Sequence, residues 1–195
     1  MKKLPVAAMV LLIAAVARGG STNAAAIDDL LSRTHEEAQA GNNEAAAVTL
    51  EAALDRDPGN RDAAVALGRL YLQMSRRRDA IALLEPVMKA EPANFVLMNN
   101  IAWVRAVATE PDLFNPSEAV RLARAALALA PSDVHVWSTL SEALYAHGEF
   151  DEALRAAQQA VRLAEQDPRS GDGLTTYRAQ LTKCGQALRA LALVE

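Results

Sequence analysis

The chain has 195 residues, enough for one ordinary domain or a short array of repeats. Half of it is apolar, yet 42 Ala and 26 Leu supply about a third of all residues, which favours helix and leaves too few Val, Ile and aromatic residues for a large sheet. A formal charge of −4 argues against broad nucleic-acid binding, and the single Cys excludes both an intrachain disulfide and a zinc knuckle.

The first predicted element is an export signal. Lys2 and Lys3 precede an apolar run from Leu4 to Ala17, followed by the small and polar stretch RGGSTNAAA. Fourteen residues make about 21 Å of helix, short of a roughly 30 Å hydrocarbon core. This order is that of a secretory signal peptide, with cleavage after Ala17 or, as the helical pattern starting at Ile27 favours, after Ala26. The other reading is an uncleaved membrane anchor. A cut after Ala26 leaves 17 basic against 24 acidic residues, a charge of −7.

From Ile27 onward the chain repeats. Four Ala-rich segments, each running to a DP, EP or AP pair, align on Ala46, Ala80, Ala119 and Ala153, and end at Pro58, Pro92, Pro131 and Pro168. The copies lie 34, 39 and 34 residues apart. Seven residues further on stand Ala53, Val87, Ala126 and Ala160, followed by Leu54, Met88, Leu127 and Val161. Upstream of each Ala column a second pattern recurs: Leu67-Gly68 with Tyr71, Ile101-Ala102 after Met98, and Trp137 with Leu140, Ser141 and Leu144. The first copy is degenerate there, with Arg33-Thr34 in place of a Leu-Gly pair, although it keeps Leu30, Gly41 and Leu50.

This pattern resembles the tetratricopeptide repeat family, whose signature is W-x2-L-G-x2-Y followed by Ala, a bulky residue, Ala and Pro. The resemblance covers roughly residues 27–168. It implies an all-α, right-handed α-solenoid of about four helix pairs (27–60, 61–94, 95–133 and 134–168); the residues on either side read separately as a signal peptide (1–26) and a capping helix (169–195). The Gly68/Ala102/Ser141 and Ala46/Ala80/Ala119/Ala153 columns would let the two helices of a pair approach closely. The closing Pro stops a helix, and Gly41 and Gly148 suit the reversal between helices.

The third repeat carries five extra residues within TEPDLFNPSE. Asn115 is positioned to cap the next helix, with Pro116 at its first turn and Glu118 completing a capping-box-like arrangement. Phe114 would staple the helix start, which makes the loop ordered; an exposed contact loop is the alternative. The last predicted element is an amphipathic helix from Leu174 to Leu193, with Leu174, Tyr177, Leu181, Cys184, Leu188 and Leu191 at helical spacing. It caps the array or, alternatively, dimerises.

Catalytic candidates dissolve one by one. His35-Glu36 begins like H-E-x-x-H but closes on Gln39, and no nucleophile elbow, Walker A or dinucleotide fingerprint occurs. His147 belongs to a turn, and His135 to a surface or groove position. Cys184 falls on the apolar stripe and reads as a buried thiol. Arg76, Arg77 and Arg78 read as a solvated helix terminus, or as a contact for an anion. The chain is therefore expected to be no enzyme and to need no cofactor or metal.

The resemblance implies a concave face lined by the first helices of successive repeats. Repeat two would present Val65, Arg69, Leu72 and Gln73 there. Repeat three would present Asn99, Asn100, Trp103 and Val107. Repeat four would present Ser138, Glu142 and Tyr145. Asn can donate to and accept from a peptide backbone at once, and Trp and Arg are common interface anchors. Trp103 has a second reading, packing between repeats, whereas Trp137 reads as core. Some family members grip a C-terminal carboxylate with Lys and Asn; here those positions read Leu31, Val65 and Asn99, and His35, Arg69 and Trp103, so that clamp is absent. The expected function is a non-catalytic protein–protein interaction module, exported to a bacterial periplasm or envelope, that holds a peptide or protein partner of an assembly or secretion complex. A homo-oligomeric scaffold built through the last helix is the alternative. Neither nucleic-acid nor specific lipid binding is expected.

Overall fold

Apolar columns at a spacing of three and four cannot be buried by one helix alone, so the chain folds into helical hairpins. The computed structural model describes Thr34, residues 41–166 and residues 171–193. The basic start, the apolar run, both cleavage positions, Leu30, Leu31, His35-Glu36 and Pro168 lie outside them. Among the described residues there is no strand, and we number eight helices: α1 (Asn43–Arg56), α2 (Arg61–Gln73), α3 (Arg77–Ala90), α4 (Phe95–Val107), α5 (Pro116–Leu129), α6 (Val134–His147), α7 (Phe150–Gln166) and α8 (Gly171–Leu191). None of them is long and apolar enough to cross a membrane. The chain divides into two compact units, Met1–Glu91 and Pro92–Glu195.

In the first unit α2 packs against α1 and α3. The Ala46 and Ala80 columns are completely buried, as are the large side chains Leu50, Leu54, Leu84 and Tyr71. In the second unit α4 pairs with α5 and α6 with α7, while α6 also lies against α4 and α5. Ala119, Ala126, Ala153 and Ala160 form the inner seam of these pairs, together with Ala102 and Ser141 from the first helices. The small columns therefore do what close helix approach requires of them.

Three helix starts are set by a recurrent side chain two residues after Pro58, Pro92 and Pro131. Asn60, Asn94 and Asp133 accept hydrogen bonds from Ala63 N (2.9 Å), Leu97 N (3.3 Å) and Val136 N (3.1 Å), satisfying donors that the first turn leaves unpaired. This Pro-x-Asn/Asp column went unread in the sequence, although Pro58, Pro92 and Pro131 mark it. Left-handed backbone occurs at Gly41 (φ 77°), just ahead of α1, and at two reversals between paired helices, Ser75 (φ 60°) and Gly148 (φ 92°). Ser75 stands in the same column, five residues before the aligned Ala.

The extra residues of the third repeat form an ordered loop. Asn115 Oδ1 accepts from Glu118 N at 3.1 Å, Pro116 occupies the first turn, and Asn115 N donates to Arg105 O at 2.9 Å. The guanidinium of Arg105 donates to the carbonyls of Asp112 (3.4 Å) and Leu113 (3.1 Å). The apolar residue that enters the core is Leu113, not Phe114, which is 44 % exposed.

The final helix begins at Gly171 rather than Leu174 and ends at Leu191 rather than Leu193. It rests mainly on α7, with a slighter contact to α6. Tyr177 packs with Val161 and Ala164, and Leu174 and Leu181 border that cluster.

Candidate functional site

Of the positions predicted to face the groove, four belong to the first unit. On α2, Val65 and Leu72 are half-buried, and Arg69 and Gln73 are exposed. The neighbouring Arg76 to Arg78 cluster is not simply a solvated terminus. Arg76 lies over the Tyr71 ring at 4.0 Å, donates through Nε to Asp79 at 2.7 Å, and reaches Glu51 Oε1 at 4.0 Å. The hydroxyl of Tyr71 donates to that same Glu51 oxygen at 2.8 Å. Burial, reinforced by the carboxylate of Glu51, holds the Tyr71 phenol well above its usual range. Arg76 thereby ties α1, α2 and α3 together, which makes it an architectural cation.

The remaining positions belong to the second unit, on α4 and α6, which pack side by side. Asn99, Asn100 and Trp103 are half-buried on α4, and Ser138, Glu142 and Tyr145 are half-buried on α6. Two features set this group apart. The Oδ1 of Asn99 is shielded from solvent and accepts no hydrogen bond from the described residues. In addition, Lys183 of α8 reaches over α6: its Nζ is 2.8 Å from Glu142 Oε2 and 4.0 Å from the centre of the Tyr145 ring. The Tyr145 ring is held edge-on by Phe150, with centroids 5.3 Å apart. The contact between Lys183 and α6 is the element that sequence reasoning missed, since the two residues of the pair are 41 positions apart.

The other singled-out residues have structural partners. His135 Nδ1 is 3.0 Å from the Tyr177 hydroxyl, and His147 Nδ1 is 2.8 Å from Glu149 Oε1. Trp137 is half-buried rather than sealed in the core, because its indole N–H reaches out to donate to Pro131 O at 2.7 Å. Cys184 is fully buried, and burial raises its thiol pKa above the ordinary value. Its sulfur is 3.5 Å from Ser141 Oγ, which donates to Ala153 O at 2.9 Å, and Gln180 Nε2 lies 3.4 Å from the same hydroxyl. This small polar seam fixes α8 against α6 and α7. A buried thiol of raised pKa is a poor nucleophile.

Comparison with known proteins agrees with this geometry. The model of the family described as tetratricopeptide repeat matches residues 37–98 and 112–174, more than half of the chain. A peroxisomal targeting signal receptor from Eremothecium gossypii is 26 % identical over an alignment 173 residues long; the match covers 74 % of this chain and 30 % of that protein. The chain thus spans about a third of the length of that relative. A MamA structure from Desulfovibrio magneticus RS-1 is 17 % identical, with a TM-score of 0.62, covering 84 % of this chain and 96 % of that one. A thermophilic TPR protein in Thermus thermophilus is 19 % identical, with a TM-score of 0.63, covering 85 % and 88 %.

Proposed function

Because the chain belongs to the tetratricopeptide repeat family, a family of protein–protein interaction modules, we propose that it binds an extended peptide or partner segment along the face carried by α4 and α6. The observation that carries this reading is the unpaired Oδ1 of Asn99. A shielded acceptor without a donor costs about 1–3 kcal/mol, so native structures leave few of them. A backbone N–H of a bound segment supplies the missing donor after a small turn of the amide, and Trp103, four residues further along α4, stands on the same helix face.

The order of Lys2 and Lys3, the apolar run and the small residues up to Ala26 supports export to a bacterial periplasm or envelope, where the partner would belong to an assembly or secretion complex. Cell fractionation of the tagged protein tests this part, and retention in the cytoplasm removes it.

The groove is tested by a crosslinked pull-down from the envelope fraction with wild type and with Asn99→Ala/Trp103→Ala, the fold of the variant being checked by circular dichroism. Loss of a prey from the folded variant supports the groove. An unchanged prey set sinks it. A second reading, self-association through α8, is favoured by the exposure of Leu191. Light scattering decides it, since a strict monomer removes it.

A further inference from the structure

We propose that Glu142 and Tyr145 form a subsite for a cationic side chain of the partner, a lysine or arginine in a basic segment, and that Lys183 fills this subsite in the free protein. The proposal rests on the groove reading only in that both residues lie on its face. Aligning Tyr177 of α8 with Trp137 of α6 places Lys183 in the column of Leu70, Val104 and Ala143. Those three are buried, whereas Lys183 is exposed. A long charged side chain thus stands where the other first helices carry an apolar packing residue.

The ammonium of Lys183 ends on a carboxylate oxygen at 2.8 Å and over an aromatic face at 4.0 Å. These two surfaces select a cation and offer nothing to an anion. The Glu142 side chain is only 23 % exposed, and Phe150 holds the Tyr145 ring, so the cradle is built before any partner arrives. Lys183 itself can leave it. Tyr177, Gln180 and Cys184 are the buried anchors of α8, and none of them depends on the lysine. An exposed ion pair is weak and screened by salt, and an incoming lysine or arginine can make the same two contacts. The negative net charge of the chain, −4, favours the approach of a basic segment. Lys183 therefore acts as a tethered competitor, and the affinity of a basic partner is reduced by the fraction of molecules in which it is seated.

The test titrates the full chain with a blocked tri-lysine peptide by calorimetry at about 10 mM ionic strength, where screening reaches about 30 Å. Blocked tri-glutamate is the control ligand. Lys183→Ala, and Lys183→Met as the version that keeps the stem, are expected to bind tri-lysine roughly fivefold tighter than wild type, with no gain for tri-glutamate. Adding Glu142→Gln to Lys183→Ala is expected to abolish the gain. Arg189→Ala removes one charge from the exposed end of the same helix and is expected to leave binding unchanged. Equal gains from Arg189→Ala and Lys183→Ala overturn the proposal, as does a gain that survives Glu142→Gln. A tri-lysine gain combined with an unchanged prey set for Asn99→Ala/Trp103→Ala keeps the subsite and removes the groove reading. Loss of prey without a tri-lysine gain does the reverse.

Discussion

Gly68 on α2 and Leu84 on α3 are in contact so close that a Cβ on the glycine would stand 2.5 Å from Leu84 Cδ2 and 2.7 Å from its Cγ. Leu84 is fully buried and has nowhere to retreat. Two effects therefore oppose each other when Gly68 becomes Ala. Helix propensity favours Ala by about 1 kcal/mol. Overpacking of a sealed contact costs about 1–3 kcal/mol and also forces the helices apart. The expected outcome for Gly68→Ala is a net loss of about 1 kcal/mol, read as a lower urea midpoint without a changed slope. A stabilised variant would show that the hairpin has slack.

Ser75 is expected to behave oppositely. A serine in the left-handed region carries about 1–2 kcal/mol of steric cost that glycine avoids, while glycine loses about 0.4–1 kcal/mol through the freedom it adds to the unfolded chain. The first term wins, so Ser75→Gly is expected to stabilise by about 0.5 kcal/mol. Gly41 and Gly148 show the residue this column otherwise carries. Thermal denaturation of the variant checks the sign.

The loop of the third repeat depends on Arg105, whose guanidinium donates to two loop carbonyls. Arg105→Ala removes both bonds, but the loop is partly solvated, so water compensates for much of the loss. Global stability is expected to fall by about 1 kcal/mol or less. Hydrogen exchange of the amides of Leu113 and Asn115, which donate to Glu110 O and Arg105 O, is expected to rise first. Unchanged protection there would show that Asn115 and Leu113 hold the loop without the arginine.

The buried acids predict an alkaline limit. The Cys184 thiol is raised from 9.0, first by burial, and the Tyr177 phenol is raised from 10.0 by burial and the Asp133 charge. A folded-state pKa above the unfolded one contributes stability that is complete below the unfolded value and lost as pH rises through the folded one. Stability is thus expected to be level up to about pH 9 and to decline above it, and Cys184→Ala is expected to delay the onset of the decline. The native thiol is expected to resist a disulfide reagent at pH 8 and to react once urea unfolds the chain. Immediate reaction in the folded protein would place Cys184 on the surface.

Much of this fold was legible because its signals are local or periodic. The Ala46/Ala80/Ala119/Ala153 seam follows from recurrence in register, since a position that repeats in every hairpin meets the same surroundings each time. The caps at Asn60, Asn94 and Asp133 are equally local, each three residues from the amide it pairs, and could have been read from the Pro-x-Asn/Asp spacing. Ser75 was visible in the same way, once its column was aligned with Gly41 and Gly148.

What the residues alone determined about this protein is therefore its class: helical hairpins, their approximate order, the small seams that let them close, and the family to which they belong. Only the tertiary structure decided the destinations of long or polar side chains. Phe114 and Leu113 are adjacent and both apolar, and which one turns inward depends on the space left by α4 and α5. Arg76 found Glu51 across a helix, and Lys183 found Glu142 across 41 residues. Backbone periodicity specifies which face a residue occupies. The partner of a flexible charged side chain is set by the packing of helices remote in sequence, and that packing is a property of the whole assembled unit.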